Sequence, residues 1–315
     1  MSVFLIGLFV LLVGITILTN SIIGNSNDFK MDEKTKILIL GHSHPEGSLN
    51  DSLINGAKNF AQGGETYFYA YLKTKKLLEE NSQIKTIFVE FTNNQVALDM
   101  EDWESDEKKI VAKIPRYAPI MNGEEYGYVA KKNPLALLKA LQLVIKNNIN
   151  FVLYNKKDYI KTRDWGGYYY NKRSHIDSII KVQKKMDFSH QTIPEISTVN
   201  LNYLDRIIDL CKKQKVKLYL FRSPQHKKYL GKGNESQFQE ILKSRFSNVD
   251  FLDFNDFPLK DEDYGDMEHL NYKGARKFSK FFNELLTKGV LENKETQSVI
   301  NQKMTLLEPL FFYKT

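Results

Sequence analysis

The stretch that most constrains this chain is Lys36-Ile37-Leu38-Ile39-Leu40-Gly41-His42-Ser43-His44-Pro45, an apolar run that breaks into a small polar turn. A short run of Ile and Leu between a charge and a glycine reads as a buried parallel strand. The polar turn then sits at the strand's carboxyl end, where open α/β sheets bind ligands. A Ser in such a turn, with imidazoles on both sides, is a candidate nucleophile once the chain supplies a base for it elsewhere.

The pattern beyond this turn is that of alternating strands and helices. Residues 50–57 and 66–78 read as helices, with Asn59-Phe60-Ala61-Gln62-Gly63-Gly64-Glu65-Thr66 between them. Adjacent glycines ahead of a helix either present backbone N–H groups to an oxyanion or phosphate or close a tight loop. Residues 85–91 read as a second strand ending in Thr92-Asn93-Asn94-Gln95, whose amides either donate to a substrate or close an Asx turn. From 99 to 198 the rhythm lapses, which marks an inserted cap with one clear helix at 134–146. Within it, Asp164-Trp165-Gly166-Gly167-Tyr168-Tyr169-Tyr170 offers rings that either stack on sugars or pack the insertion onto the sheet. Helices at 199–213 and 236–246 then alternate with strands at 216–221 and 249–254. Arg222-Ser223-Pro224-Gln225-His226 leaves the strand at 216–221 towards the same sheet edge as Ser43. A closing helix runs through 286, and residues 291–315 form a tail whose apolar cluster at 306–313 packs on the body or at a membrane surface.

Composition narrows the partners. With 42% hydrophobic and 26% charged residues, 315 residues are enough to bury a real core. The net charge of +7 comes from scattered Lys and Arg without a nucleic-acid-binding signature, so no nucleic-acid partner is expected; an anionic membrane surface or glycan suits it better. Cys211 is the sole cysteine, which excludes a disulfide framework and a Cys-based zinc site. Residues 3–18 carry no charge, and Ile22 and Ile23 extend the run. That is near the lower limit of a membrane span, about 17–25 residues. With no basic segment ahead of it and no clean cleavage site, it reads as an uncleaved anchor over 1–25 in preference to a signal peptide. Lys30, Lys34 and Lys36 after the span lean towards a cytoplasmic body.

The base is found near the end of the chain. Asp266 and His269, three residues apart before the closing helix, can set a carboxylate against one imidazole nitrogen and leave the other free. The ordered set of Gly41-His42-Ser43, Gly64, Asn93 and Asp266-Met267-Glu268-His269 resembles the blocks of the SGNH (GDSL-type) hydrolase superfamily, over roughly residues 36–282. The resemblance implies a flavodoxin-like three-layer α/β/α fold with a parallel sheet. Ser43 is then the nucleophile, His269 its base and Asp266 the orienter, and Ser43 N–H, Gly64 N–H and the Asn93 side chain form the oxyanion hole. It implies neither cofactor nor metal. In two places the chain departs from the pattern: the usual first-block Asp is His42, and the third block's Gly and Asp are Phe91 and Asn94. The wording around His269 also resembles membrane-anchored members that act on envelope glycans beside membrane-bound acyltransferases.

The expectation is therefore an anchor at 1–25, an SGNH-like domain at 34–290 with the 99–198 insertion, and a tail at 291–315. The body stands outside the cytoplasm, as the resemblance implies and against the lysine signal. Its partner is an acylated glycan or acyl donor, with His44, Trp165, Tyr168 and His226 as substrate contacts. Two rival readings remain: a metal-dependent hydrolase using His42 and His44 with Asp266 and His269, and an inactive, membrane-tethered glycan-binding protein.

Overall fold

The computed structural model describes residues 2–26, 29–154, 165–183, 193–293 and 295–312. By backbone contacts the chain divides into two compact units, one of residues 1–31, 68–82 and 101–165, the other of residues 32–67, 83–100 and 166–315.

The larger unit is built on a parallel sheet of β1 (Ile37–Leu40), β2 (Ala57–Asn59), β3 (Thr86–Glu90), β4 (Lys217–Arg222) and β5 (Asp250–Asp253), in the order β2-β1-β3-β4-β5. This is the flavodoxin-like strand order, whose switch point lies between β1 and β3. Register is fixed by pairs such as Ile39 with Phe88 and Phe88 with Tyr219. Alternation along the strands sends side chains to two faces, and both are covered. On one face Phe88, Tyr219, Phe221 and Leu252 meet Phe278, Phe281 and Phe282 of the closing helix. On the other, Phe251 lies at 5.8 Å from Phe238, which in turn stacks at 4.8 Å on Phe91.

Short α2 (Ser43–Ser48) follows β1 directly. In the expected helix at 50–57 there is instead a single 3-10 turn, Asp51–Leu53, and then the edge strand β2. Short α8 (Ile176–Gln183), in the stretch read as an insertion, lays Ile176, Ile179 and Ile180 on the core. The remaining helices are close to the sequence reading. They are α9 (Thr198–Lys213), α10 (Glu235–Arg245) and α11 (Tyr272–Thr287), the last capped by Asn271, whose Oδ1 accepts from Lys273 N–H at 2.9 Å. The expected tail forms α12 (Thr296–Phe312), which buries Ile300 and Met304 in the same core. The side chains of its apolar end, 308–312, and residues 313–315 lie outside the described residues.

The smaller unit is helical. It holds α1 (Ser2–Ser26), most of α3 (Tyr67–Glu80), α4 (Asp102–Ser105), α5 (Glu107–Tyr117), α6 (Gly123–Lys132) and α7 (Pro134–Tyr154). Buried Ala136, Ala140 and Val144 on α7 leave room for a close neighbour, and α5 packs against it with Ile110 and Ile114 buried. The polar half of α1 is also tied to α7, through Asn148 Nδ2 to Thr19 Oγ1 at 3.0 Å and to Asn20 Oδ1 at 2.7 Å. Among the described residues no helix is long and apolar enough to cross a membrane. Much of the expected anchor, 2–6, 8–10 and 12–13, lies outside the residues whose side chains are described.

Candidate active site

The site begins where β1 ends. Gly41 has φ +149°, a backbone conformation that L side chains rarely adopt, and a Cβ there would stand 2.5 Å from Glu90 Cβ and 2.7 Å from Pro45 Cγ. The chain can therefore turn from strand into α2 tightly against β3, with Ser43 as the first helical residue. Asn59, fully buried, holds the far end of α2 by donating from Nδ2 to Pro45 O at 2.9 Å and Leu49 O at 2.7 Å.

The loop before α11 brings in His269. Asp266 Oδ1 accepts from the backbone N–H groups of Glu268 and His269, each at 2.9 Å, which shapes the loop as an Asx turn. The same oxygen lies 2.8 Å from His269 Nδ1. His269 Nε2 is left facing Ser43 Oγ at 2.7 Å. Burial raises the Asp266 carboxyl, but the His269 ring and the two N–H groups outweigh it and hold it below the usual carboxylate range. A carboxylate that fixes Nδ1–H makes Nε2 the acceptor for the Ser43 hydroxyl.

His42 approaches the same hydroxyl. Its Nδ1 is 3.2 Å from Ser43 Oγ, and its Nε2 is 3.1 Å from Asn94 Oδ1. Burial pushes its pKa down to about 4, so the ring is neutral near pH 7. His44 is the opposite case. Its Nδ1 lies 2.8 Å from Glu90 Oε1 and its Nε2 3.5 Å from Glu268 Oε2. Burial alone would lower this ring, yet the two carboxylates raise it to about 9, so it is an imidazolium at pH 7. Burial would likewise raise Glu90, and the charges and hydrogen bonds of His42 and His44 hold it down. Glu90 also accepts the His42 backbone N–H at 2.9 Å. A charged residue at the end of the apolar run Thr86-Ile87-Phe88-Val89-Glu90 was the sequence signal for this buried cluster.

The two adjacent glycines stand differently towards Ser43. Gly64, at φ +68°, is the third residue of a turn closed by Glu65 N–H to Gln62 O at 3.2 Å. Gly63 is the glycine that faces Ser43, since a Cβ on it would lie 3.8 Å from Ser43 Cβ. Its N–H donates to Glu46 Oε2 at 2.9 Å. The adjacent asparagines are exchanged in the same way. Asn93 is turned to a different cluster, donating from Nδ2 to Glu235 at 2.8 Å and accepting from Arg222 at 3.2 Å. It is Asn94 whose side chain reaches the His42–Ser43 pair.

Three of the four expected substrate contacts are buried. His44 is 1% exposed between its carboxylates, and Trp165, 2% exposed, packs its ring against Phe29 and Tyr117. His226 is 4% exposed and holds the loop of His269, its N–H donating to Met267 O at 3.0 Å. Tyr168 is half-buried. Asp164 of the same motif lies outside the described residues. Instead, exposed Tyr169 is carried beside α2, where its N–H donates to Glu46 O at 2.8 Å. Gly166 permits that approach, because a Cβ there would stand 2.4 Å from Phe60 O.

Among the described residues His42, His44 and Glu90 form a cluster whose ligand atoms lie within 4.8 Å of one another. The four-residue metal set is not assembled, because both nitrogens of His269 are directed to Asp266 and Ser43.

A protein-family model matches residues 147–291. No curated protein matches the chain. Among solved structures, one similar chain is a presumptive acylhydrolase from Bacteroides fragilis NCTC 9343, 10% identical, with 84% of this chain and 93% of that one covered at a TM-score of 0.38. Another is a GDSL-like lipase from Bacteroides thetaiotaomicron VPI-5482, 8% identical, with 84% and 94% covered at a TM-score of 0.37.

Proposed function

We propose that this chain is a serine esterase or O-acyltransferase of the SGNH type, acting on acyl groups, most simply acetyl, of an envelope polysaccharide. The observation that carries the reading is the line from Asp266 Oδ1 through His269 to Ser43 Oγ, with steps of 2.8 and 2.7 Å. Ser43 Oγ attacks the acyl carbonyl while His269 Nε2 takes its proton, forming a tetrahedral oxyanion. The imidazolium, steadied by Asp266, returns that proton to the departing sugar oxygen, and the acyl group stays on Ser43. Water or a second sugar hydroxyl then attacks the acyl carbonyl while giving its proton to His269, which returns that proton to Ser43 Oγ as the acyl–Ser43 bond breaks. Esterase and transferase differ in this last acceptor alone.

The oxyanion donors we assign are the backbone N–H groups of Ser43 and Gly63 and the side chain of Asn94, in place of Gly64 and Asn93. Glu46 accepts from Gly63 N–H in the resting state and swings aside when the oxyanion forms. Exposed Tyr169 beside α2 favours a sugar substrate, since such rings stack on sugar faces. The uncharged run of α1 is proposed as a membrane anchor, with the larger unit outside the cytoplasm and a membrane-bound acyltransferase as the partner that supplies acyl groups.

The test is hydrolysis of p-nitrophenyl acetate and release of acetate from an acetylated polysaccharide by wild type and Ser43→Ala. Loss of both activities in a folded variant is the expected result. Equal rates in the two proteins would sink the nucleophile assignment.

A further inference from the structure

Helix α7 shows one face to solvent that a soluble helix would not. Leu135, Leu138, Ile149 and Leu153 follow a spacing of three, eleven and four residues, which returns to one stripe of the helix surface. Leu135 is 67% exposed, Leu138 55% and Leu153 68%. Lys146 lies in the same stripe and is exposed. Lys139 stands at its edge, paired with Glu107 at 2.7 Å. The helix contains no Asp or Glu. Exposed Gln142 falls in the same stripe and with Lys146 divides it into two apolar pairs, and exposed apolar surface of this kind marks contact with a protein or a membrane.

Charge and attachment choose between these. A helix face of leucines and isoleucine punctuated by Gln142 and Lys146, on a helix with no acidic residue of its own, matches the interface of an anionic bilayer. There the apolar side chains enter the acyl boundary while the lysine stem lies along it with its head among phosphates. The second argument is that α7 is fastened to α1 through the Asn148 bonds to Thr19 and Asn20. Packed helices lie about 8–10 Å apart. If α1 enters a bilayer, α7 is held within about one helix width of it. The polar groups Lys139, Gln142, Lys146, Asn147 and Asn148 make α7 a helix that lies on the membrane, not one that crosses it.

We infer that α7 is a second membrane contact, an in-plane interfacial helix that docks the smaller unit on an anionic lipid surface through Leu135, Leu138, Ile149 and Leu153. The inference rests on the proposed anchoring role of α1, and no residue of the acyl-transfer site takes part in it. It gives the inserted region a task separate from the chemistry.

The full-length protein is reconstituted into vesicles of phosphatidylcholine with and without phosphatidylglycerol, carrying a nitrobenzoxadiazole label at Leu138→Cys, Leu153→Cys, Leu11→Cys or, as a solvent control, Lys213→Cys. Native Cys211 is buried, and burial pushes its thiol up to about 12, so it stays unlabelled. The expected result is quenching of labels 11, 138 and 153 by spin-labelled lipid, with 213 unaffected. Quenching at 138 and 153 should be stronger in anionic vesicles and weakened by Lys146→Glu. Quenching at 11 without quenching at 138 and 153 overturns the inference and leaves the anchor standing. No quenching at 11 overturns the anchor reading itself. Labels 138 and 153 shielded equally without lipid point to a second protein chain, which also overturns the inference.

Discussion

His42 Nδ1 lies 3.2 Å from Ser43 Oγ, so the hydroxyl that serves His269 at 2.7 Å has a second imidazole beside it. With Asn94 Oδ1 accepting from Nε2, the His42 tautomer presents a lone pair to Ser43, and one proton has two acceptors. His269 is the closer and the one backed by a carboxylate. A ring held neutral down to about pH 4 is too weak a base to compete for the proton. His42→Ala is therefore expected to lower kcat/KM by no more than about tenfold, a small part of the 10²–10⁴ that positioned acid–base catalysis is worth. It should leave the pH profile above 5 unchanged. Steady-state rates on an acetyl ester across pH check this.

Asp266→Asn separates shape from chemistry. An asparagine Oδ1 can still accept the N–H groups of Glu268 and His269, so the loop and the melting temperature should be kept. The same oxygen can still face Nδ1–H of His269, but the neutral amide carries no charge to stabilise the imidazolium that forms there, and kcat should fall by up to roughly 10⁴. Rates and thermal melts on the same preparation decide it.

The buried His44 should shape stability against pH. Its folded pKa, about 9, is above the ordinary 6.5, so its contribution is full below pH 6.5 and is lost as pH rises through 9. His42, depressed to about 4, acts in the opposite sense: its contribution is full above pH 6.5 and is lost as pH falls towards 4. Stability from this pair therefore peaks near pH 6.5. His44→Gln should remove the alkaline limb and, by leaving Glu90 buried and unpaired, cost about 3–5 kcal/mol. Urea melts between pH 5 and 9 measure both limbs.

The glycines should differ in kind. Gly64→Ala forces a side chain into the left-handed region and should cost about 1–2 kcal/mol. Gly63→Ala meets a flexible Glu46 carboxylate at 3.2 Å and should be tolerated in stability while slowing the reaction beside Ser43. Gly41→Ala drives a Cβ into Glu90 and Pro45 and should prevent folding of the turn. Chemical denaturation of the three variants orders them.

Legibility in the sequence tracked the strength of local signals. Strands β1, β3, β4 and β5 are apolar runs bounded by polar residues, and the structure has them within one or two residues of the reading. Strand β2, Ala57-Lys58-Asn59, has no β-branched residue and is a strand because β1 pairs with it, which no local pattern reveals. Helix α7 continues past 146 to Tyr154 through weak helix formers, since buried Asn148 is bonded to α1. The choices between Asn93 and Asn94 and between Gly63 and Gly64 turn on which way one peptide faces. Adjacent identical residues hide that. Glu90, Glu268 and His44 were individually visible, but their meeting depends on β1, β3 and the loop before α11 coming together.

Covalent labelling of Ser43 by a fluorophosphonate tests the central claim most directly, read by mass spectrometry of the peptide that carries it. The account predicts one label per chain, on Ser43 Oγ, formed in wild type and lost in His269→Ala of unchanged melting temperature. Folded wild-type protein that takes no label, or a His269→Ala variant labelled at the wild-type rate, would contradict it.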